Sequence, residues 1–148
     1  MESPITRIFT GNLRSILRKP GNKDSITLEP YRPLQLDIQD PHVRSVTDAL
    51  RHLTATEVLN PDYDGTGRAM TRRSFIEKLP PILILHLKRF VYNDQGTKKV
   101  WKKIAYPLTL DIPLDVLSPL QRGETPPQFQ LFGGTSPSSK TRLLTYMS

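Results

Sequence analysis

Residues 79–90, LPPILILHLKRF, decide the fold of this chain. The double proline stops whatever precedes it, because proline lacks an N–H and bars the residue before it from the helical region. Ile82, Leu83, Ile84, Leu85 and Leu87 then place apolar side chains on both faces of an extended segment, the pattern of a strand buried on two sides. Lys88, Arg89 and Phe90 set two cations and an aromatic where that strand reaches the surface.

Working outward, Asn93-Asp94-Gln95-Gly96 reads as a hairpin turn that returns the chain through residues 98–104. Leu108, Leu110 and Ile112 alternate between Pro107 and Pro113, as in a half-buried strand. On the N-terminal side, residues 73–78 alternate around Phe75, and residues 59–68, LNPDYDGTGR, read as a loop. Ser45 is placed to cap a short amphipathic helix whose Val46, Ala49, Leu50 and Leu53 share one face, with Asp48 close to a capping-box position. Leu34, Leu36 and Ile38 alternate as a further strand. Residues 5–9 and 13–18 read as two short strands around Thr10-Gly11-Asn12, followed by a turn-rich break at 19–23. Strands, one helix and strands again predict an α+β fold with an antiparallel sheet.

The 148 residues have room for one domain with a sizeable core. Fourteen prolines and a hydrophobic content of 36% place part of the chain outside that core. Pro119, Pro126, Pro127 and Pro137 fall in a stretch rich in Gly, Ser, Thr and Gln, so residues 1–118 are expected to form the domain and 119–148 a disordered tail. There is no cysteine, which excludes disulfides, thiolate metal sites and a cysteine nucleophile within the chain. No apolar run approaches a membrane span and no signal peptide opens the sequence, so no membrane association and an intracellular place, cytoplasm or nucleus, are expected.

The net charge of +7 includes basic pairs at Arg72-Arg73, Lys88-Arg89, Lys98-Lys99 and Lys102-Lys103. Lysines that guard exposed strand edges account for such pairs. A nucleic-acid surface built from residues 98–103 with Trp101 and Tyr92 is the weakest of the readings considered. Three histidines, His42, His52 and His86, could serve as bases, yet no serine sits in a Gly-x-Ser-x-Gly elbow. The histidines also lack the local pairing of a metal-binding helix, and Gly65-Thr66-Gly67-Arg68 is too short for a phosphate loop. The residues therefore define no catalytic centre, no metal site and no cofactor site, and His86 reads as a hydrogen-bonded core histidine.

LPPILILHLKRF closely resembles the LPPxLxLHLKRF box of the ubiquitin-specific proteases, a papain-like family of cysteine deubiquitinases. Other segments resemble the family in the same order. They are Ile5-Thr6-Arg7-Ile8-Phe9 through Gly11 and Ser15; Leu28-Glu29-Pro30-Tyr31 with Leu34, Leu36 and Ile38; the helix from Ser45; and Lys99 through Tyr106-Pro107-Leu108 to Leu110-Asp111-Ile112. The resemblance implies the fingers and palm of such a protease. It also implies that Arg89, Phe90 and Lys99 face ubiquitin's C-terminal tail. The family's cysteine box and its Gly-Gly-His-Tyr box have no counterpart here, since Phe132-Gly133-Gly134-Thr135 carries no histidine. The zinc-binding cysteine pairs of many members correspond to positions near Lys19, Asn22, Gly65 and Arg68, so zinc is not expected. The expectation is a truncated relative of a ubiquitin carboxyl-terminal hydrolase that is inactive alone. The alternatives are a non-catalytic module that binds ubiquitin or another partner and, last, a basic nucleic-acid binder.

Overall fold

A computed structural model describes residues 3–88, 90–93, 96–99, 103–134 and 142–148. The chain runs α1 (Pro4–Phe9), β1 (Gly11–Arg18), β2 (Ser25–Tyr31), β3 (Pro33–Asp37), α2 (Val46–Leu53), β4 (Glu57–Asn60) and β5 (Met70–Lys78). It continues through β6 (Ile82–Lys88), β7 (Phe90–Asn93), β8 (Gly96–Lys99), β9 (Thr109–Asp111), two short 3-10 turns (Leu114–Val116 and Pro119–Gln121), β10 (Gln128–Gly134) and β11 (Arg142–Met147). The described residues form three sheets: four strands in the order β2-β1-β5-β4, five in the order β3-β6-β11-β10-β9, and the hairpin β7-β8.

The opening stretch becomes β6, second in the five-stranded sheet, with β3 on one side and β11 on the other. Leu83, Leu85 and Leu87 are fully buried, while Ile82, Ile84 and His86 on the other face are only half-buried. The two-sided burial read from the unbroken apolar run is thus complete on one face alone. The α+β class holds and most pairs are antiparallel, but β3 and β6 run parallel, from Pro33↔Ile84 to Asp37↔Lys88. A parallel pair needs a crossover, and α2 together with β4 and β5 supplies it.

That helix follows its sequence signals. The Ser45 hydroxyl accepts from the Asp48 N–H at 3.0 Å, and the Asp48 carboxylate accepts from the Arg44 N–H at 3.0 Å. Val46, Ala49 and Leu50 are buried in the same core as β3 and β6. The Val46 N–H to Ala105 O and Ala105 N–H to Arg44 O bonds, both 2.9 Å, tie the helix start to the strand-like bridge Ser45↔Ala105.

Two expectations are corrected. Residues 5–9 form a helix, not a strand. Ser3 caps it, accepting from the Thr6 N–H at 3.1 Å, and Pro4 occupies its first turn, where the missing N–H costs nothing. Cap and proline override the β-branched Ile5, Thr6 and Ile8. The tail expected to be disordered supplies β10 and β11 to the five-stranded sheet. Phe129, Leu144 and Tyr146 are buried there, Leu144 opposite Leu85 and Tyr146 opposite Leu83. The Tyr146 hydroxyl also donates to Pro107 O at 2.8 Å. Alternating apolar residues in a composition that suggests disorder found a sheet edge to join, and burial decided the outcome.

The two large sheets meet where β5 ends. Tyr31 lies over Gly11 and its hydroxyl donates to Lys78 O at 2.9 Å; a Cβ at Gly11 would land on the Tyr31 ring. Ser118 N–H donates to Ile76 O at 2.9 Å, joining the link between the two 3-10 turns to the same strand.

Candidate functional site

The end of β6 and the hairpin after it carry the residues singled out as ubiquitin-facing. Lys88 closes β6 as an exposed residue opposite Asp37. Residue 89 lies outside the described residues, so Arg89 receives no structural account. Phe90 opens β7, and the antiparallel register sets it directly opposite Lys99 at the base of the hairpin. Val91 pairs with Lys98, Tyr92 with Thr97 and Asn93 with Gly96. Gly96 has φ 107°, a conformation costly for any residue with a Cβ, as a tight reversal requires. The turn expected at Asn93-Gly96 is thereby placed, although residues 94–95 lie outside the described set, as do Trp101 and Lys102. The hairpin forms its own two-stranded sheet and is not one of the strands of the five-stranded sheet.

The histidines do not converge. His86 stands on the half-buried face of β6, opposite Gln35 and Leu143. His42 and His52 share Asp40 instead. The His42 ring nitrogen Nδ1 is 3.1 Å from Asp40 Oδ1, and His52 Nδ1 is 4.0 Å from Oδ2. The backbone and ring hydrogen bonds from His42 hold the Asp40 carboxyl below its usual range. That trio clips the 40–42 loop to the last turn of α2 and is solvent-exposed, with His42 96% exposed. Among the described residues no group of three or more acidic or histidine side chains is placed to hold a metal ion.

The positions that the resemblance sets against zinc-binding pairs, near Lys19, Asn22, Gly65 and Arg68, lie close in the fold. Because Arg18 pairs with Thr71, the turn around Lys19 and Asn22 and the loop carrying Gly65 and Arg68 sit at the same end of the four-stranded sheet. There the loop is organised by carboxylates. Asp62 Oδ1 accepts from the Gly67 N–H at 2.7 Å, and Asp64 Oδ1 accepts from the Thr66 hydroxyl at 2.5 Å. Arg68 pairs with Asp64 as well. The Thr66 hydroxyl, then its N–H and Arg68, lower the Asp64 pKa.

Residues 1–138 match the family model described as ubiquitin carboxyl-terminal hydrolase. The chain belongs to that family. It is 52% identical over 131 residues to the probable ubiquitin carboxyl-terminal hydrolase 3 of Schizosaccharomyces pombe, a match covering 87% of this chain and 26% of that protein. It is 45% identical over 122 residues to ubiquitin carboxyl-terminal hydrolase 10 of Rattus norvegicus, covering 80% of this chain and 15% of that one. The chain thus spans about a quarter or less of the length of these relatives and is part of the family's catalytic domain. The fold likeness agrees. The Ubp8-Sgf11-Sgf73-Sus1 SAGA DUB module superposes with a TM-score of 0.77 at 20% identity, covering 99% of this chain and 41% of that one. A SAGA DUB module bound to monoubiquitin gives 0.74 at 22% identity, covering all of this chain and 35% of that one.

The sequence reading overlooked β11, whose Leu143 faces His86 across the sheet. Its signal was present in the alternation of Leu144 and Tyr146, hidden by the Gly- and Ser-rich stretch before it.

Proposed function

We propose that this chain is the ubiquitin-holding portion, fingers and palm, of a ubiquitin carboxyl-terminal hydrolase, and that alone it binds ubiquitin without cleaving it. The observation that carries the reading is the Phe90↔Lys99 pair, set at the base of the hairpin that follows β6. Lys99, or Arg89 next to Phe90 in the sequence, is a cation that can hold the carbonyls or carboxylate of ubiquitin's tail while the aromatic packs its aliphatic parts. The monoubiquitin-bound relative supports ubiquitin as the partner.

Hydrolysis in this family would need a thiolate to attack the carbonyl of ubiquitin's last glycine and expel the attached amine, with a histidine as base. The 148 residues offer no cysteine, and none of the described histidines faces a nucleophile in a triad arrangement. The protein works inside the cell, where ubiquitinated proteins are found; among the described residues no helix is long and apolar enough to cross a membrane.

Titration of the isotopically labelled chain with ubiquitin tests this reading. The expected result is saturable shifts of the Phe90 and Lys99 amides, weakened by Arg89→Ala or Phe90→Ala, and no release from a ubiquitin-amide substrate. Amides that do not move at millimolar ubiquitin overturn the binding role. Release of ubiquitin by the pure chain overturns the non-cleaving role.

A further inference from the structure

One face of the four-stranded sheet carries arginines set among exposed aliphatic side chains. The register places Ile26 opposite Ile16 and Ile16 opposite Arg73; one row on, Leu28 faces Arg14 and Arg14 faces Phe75. Arg18 neighbours Thr71 in the next row. Ile26 and Leu28 are 51% and 59% exposed, on a strand that is the edge of the sheet among the described residues. Ile16, Arg18, Thr56, Thr71, Arg73 and Phe75 line a cleft of about 210 Å³ on this face.

The arginines differ in how they are engaged. Arg18 pairs with Asp24 at 3.3 Å, and Arg14 lies 4.0 Å from Glu77. Arg122 is anchored by donating Nε to Leu117 O at 3.1 Å, with its guanidinium 5.9 Å from the Phe75 ring centre. Arg73 lies over Phe75 at 4.5 Å and, among the described residues, has no carboxylate within ion-pair distance. A guanidinium packed on a ring keeps its in-plane N–H edge, the edge that takes a carboxylate in a fork.

We propose that this face binds an acidic, apolar peptide segment of a partner protein, one carboxylate seated on Arg73 beside Arg18 and its aliphatic side chains covering Ile16, Ile26 and Leu28. The chain's charge of +7 favours an anionic partner. A nucleic acid fits this face worse. Its bases need a free aromatic surface, whereas Phe75 is 6% exposed and covered by Arg73, and the aliphatic side chains offer nothing to phosphates. The surface lies on the four-stranded sheet and not on the β7-β8 hairpin, so its variants can be scored separately from those at Phe90 and Lys99.

A synthetic peptide alternating aspartate and leucine, titrated into the full chain, tests it by methyl NMR. Saturable shifts of Ile16, Ile26 and Leu28, weaker as salt rises, are expected. Arg73→Gln should weaken binding about tenfold, the loss of one charge-assisted contact, and Arg73→Lys should not restore it, because lysine cannot form the fork. Ile26→Asp, on an exposed edge side chain, should abolish binding while the buried Leu85 methyls stay unshifted; it gives the answer if Arg73→Gln unfolds. The proposal is overturned by still methyls, by equal shifts from a lysine-for-aspartate control, or by shifts produced only by a single-stranded RNA or only by ubiquitin.

Discussion

The two large sheets solve the burial problem differently. In the five-stranded sheet Leu34, Leu36, Leu83, Leu85, Leu87, Leu110, Phe129, Leu144 and Tyr146 are all buried in one continuous core that α2 covers. In the four-stranded sheet, β2 is exposed at every residue except Tyr31, and β1 is mostly half-buried. The first sheet is held by removal of apolar surface from water. The second is held by its backbone ladder, a few ion pairs and its junction with the first. A two-faced, solvated sheet is suited to gripping another molecule, and its stability is borrowed from the base.

The largest effect should separate the two sheets outright. Leu85→Ala, at the centre of the buried face of β6, is expected to cost about 2–5 kcal/mol in a urea-unfolding series, since a cavity remains when those atoms are removed. Leu28→Ala, 59% exposed on β2, should stay within about 0.5 kcal/mol. Equal losses would mean that the sheets do not differ as described.

The junction comes next. Gly11→Ala drives a methyl group into the Tyr31 ring at the point where β1, β2 and β5 leave the core, and overpacking of this kind costs about 1–3 kcal/mol. Tyr31→Phe keeps the packing and loses only the bond to Lys78 O, about 1 kcal/mol. Hydrogen exchange sharpens the reading. Both variants should speed exchange in β1 and β2 more than in β6 and β11, and uniform acceleration would place Gly11 in the main core instead.

The smallest effect belongs to the far end of the exposed sheet. The folded-state pKa of Asp64 lies below its ordinary 3.8. Its contribution is therefore present above that value and is lost as pH falls through the lower, folded-state pKa. Acidification should release the Thr66 amide, which donates to Asp64 Oδ1 at 3.1 Å, before β6 responds. Amides that change only with global unfolding would remove the carboxylate from the account.

Legibility followed the same division. The β6 run, the Ser45-capped helix and the burial of Leu110 and Ile112 could be read because each signal is local: a proline stop, a cap, a two-residue period. The same holds for the hairpin that sets Phe90 opposite Lys99. Leu108, expected on the same face as Leu110 and Ile112, is instead 75% exposed. Residues 5–9 were misread because β-branched side chains spoke for a strand while Ser3 and Pro4 capped a helix. Residues 128–147 were misread because a Gly-, Ser- and Thr-rich stretch at 133–141 separates two apolar runs, and only pairing of β11 with β6 and of β10 with β11 makes Phe129, Leu144 and Tyr146 worth burying.

The sequence by itself determined the family, through an ordered set of motifs centred on LPPILILHLKRF, and it determined that these 148 residues supply no thiolate. Tertiary structure alone decided that β3 runs parallel to β6, that the C-terminal residues complete the sheet, and that Arg73, Phe75, Ile16 and Ile26 share one surface. The reason is range. Caps, prolines and alternation act over a few residues, whereas pairing partners and shared faces join positions far apart in the chain, and burial selects among them.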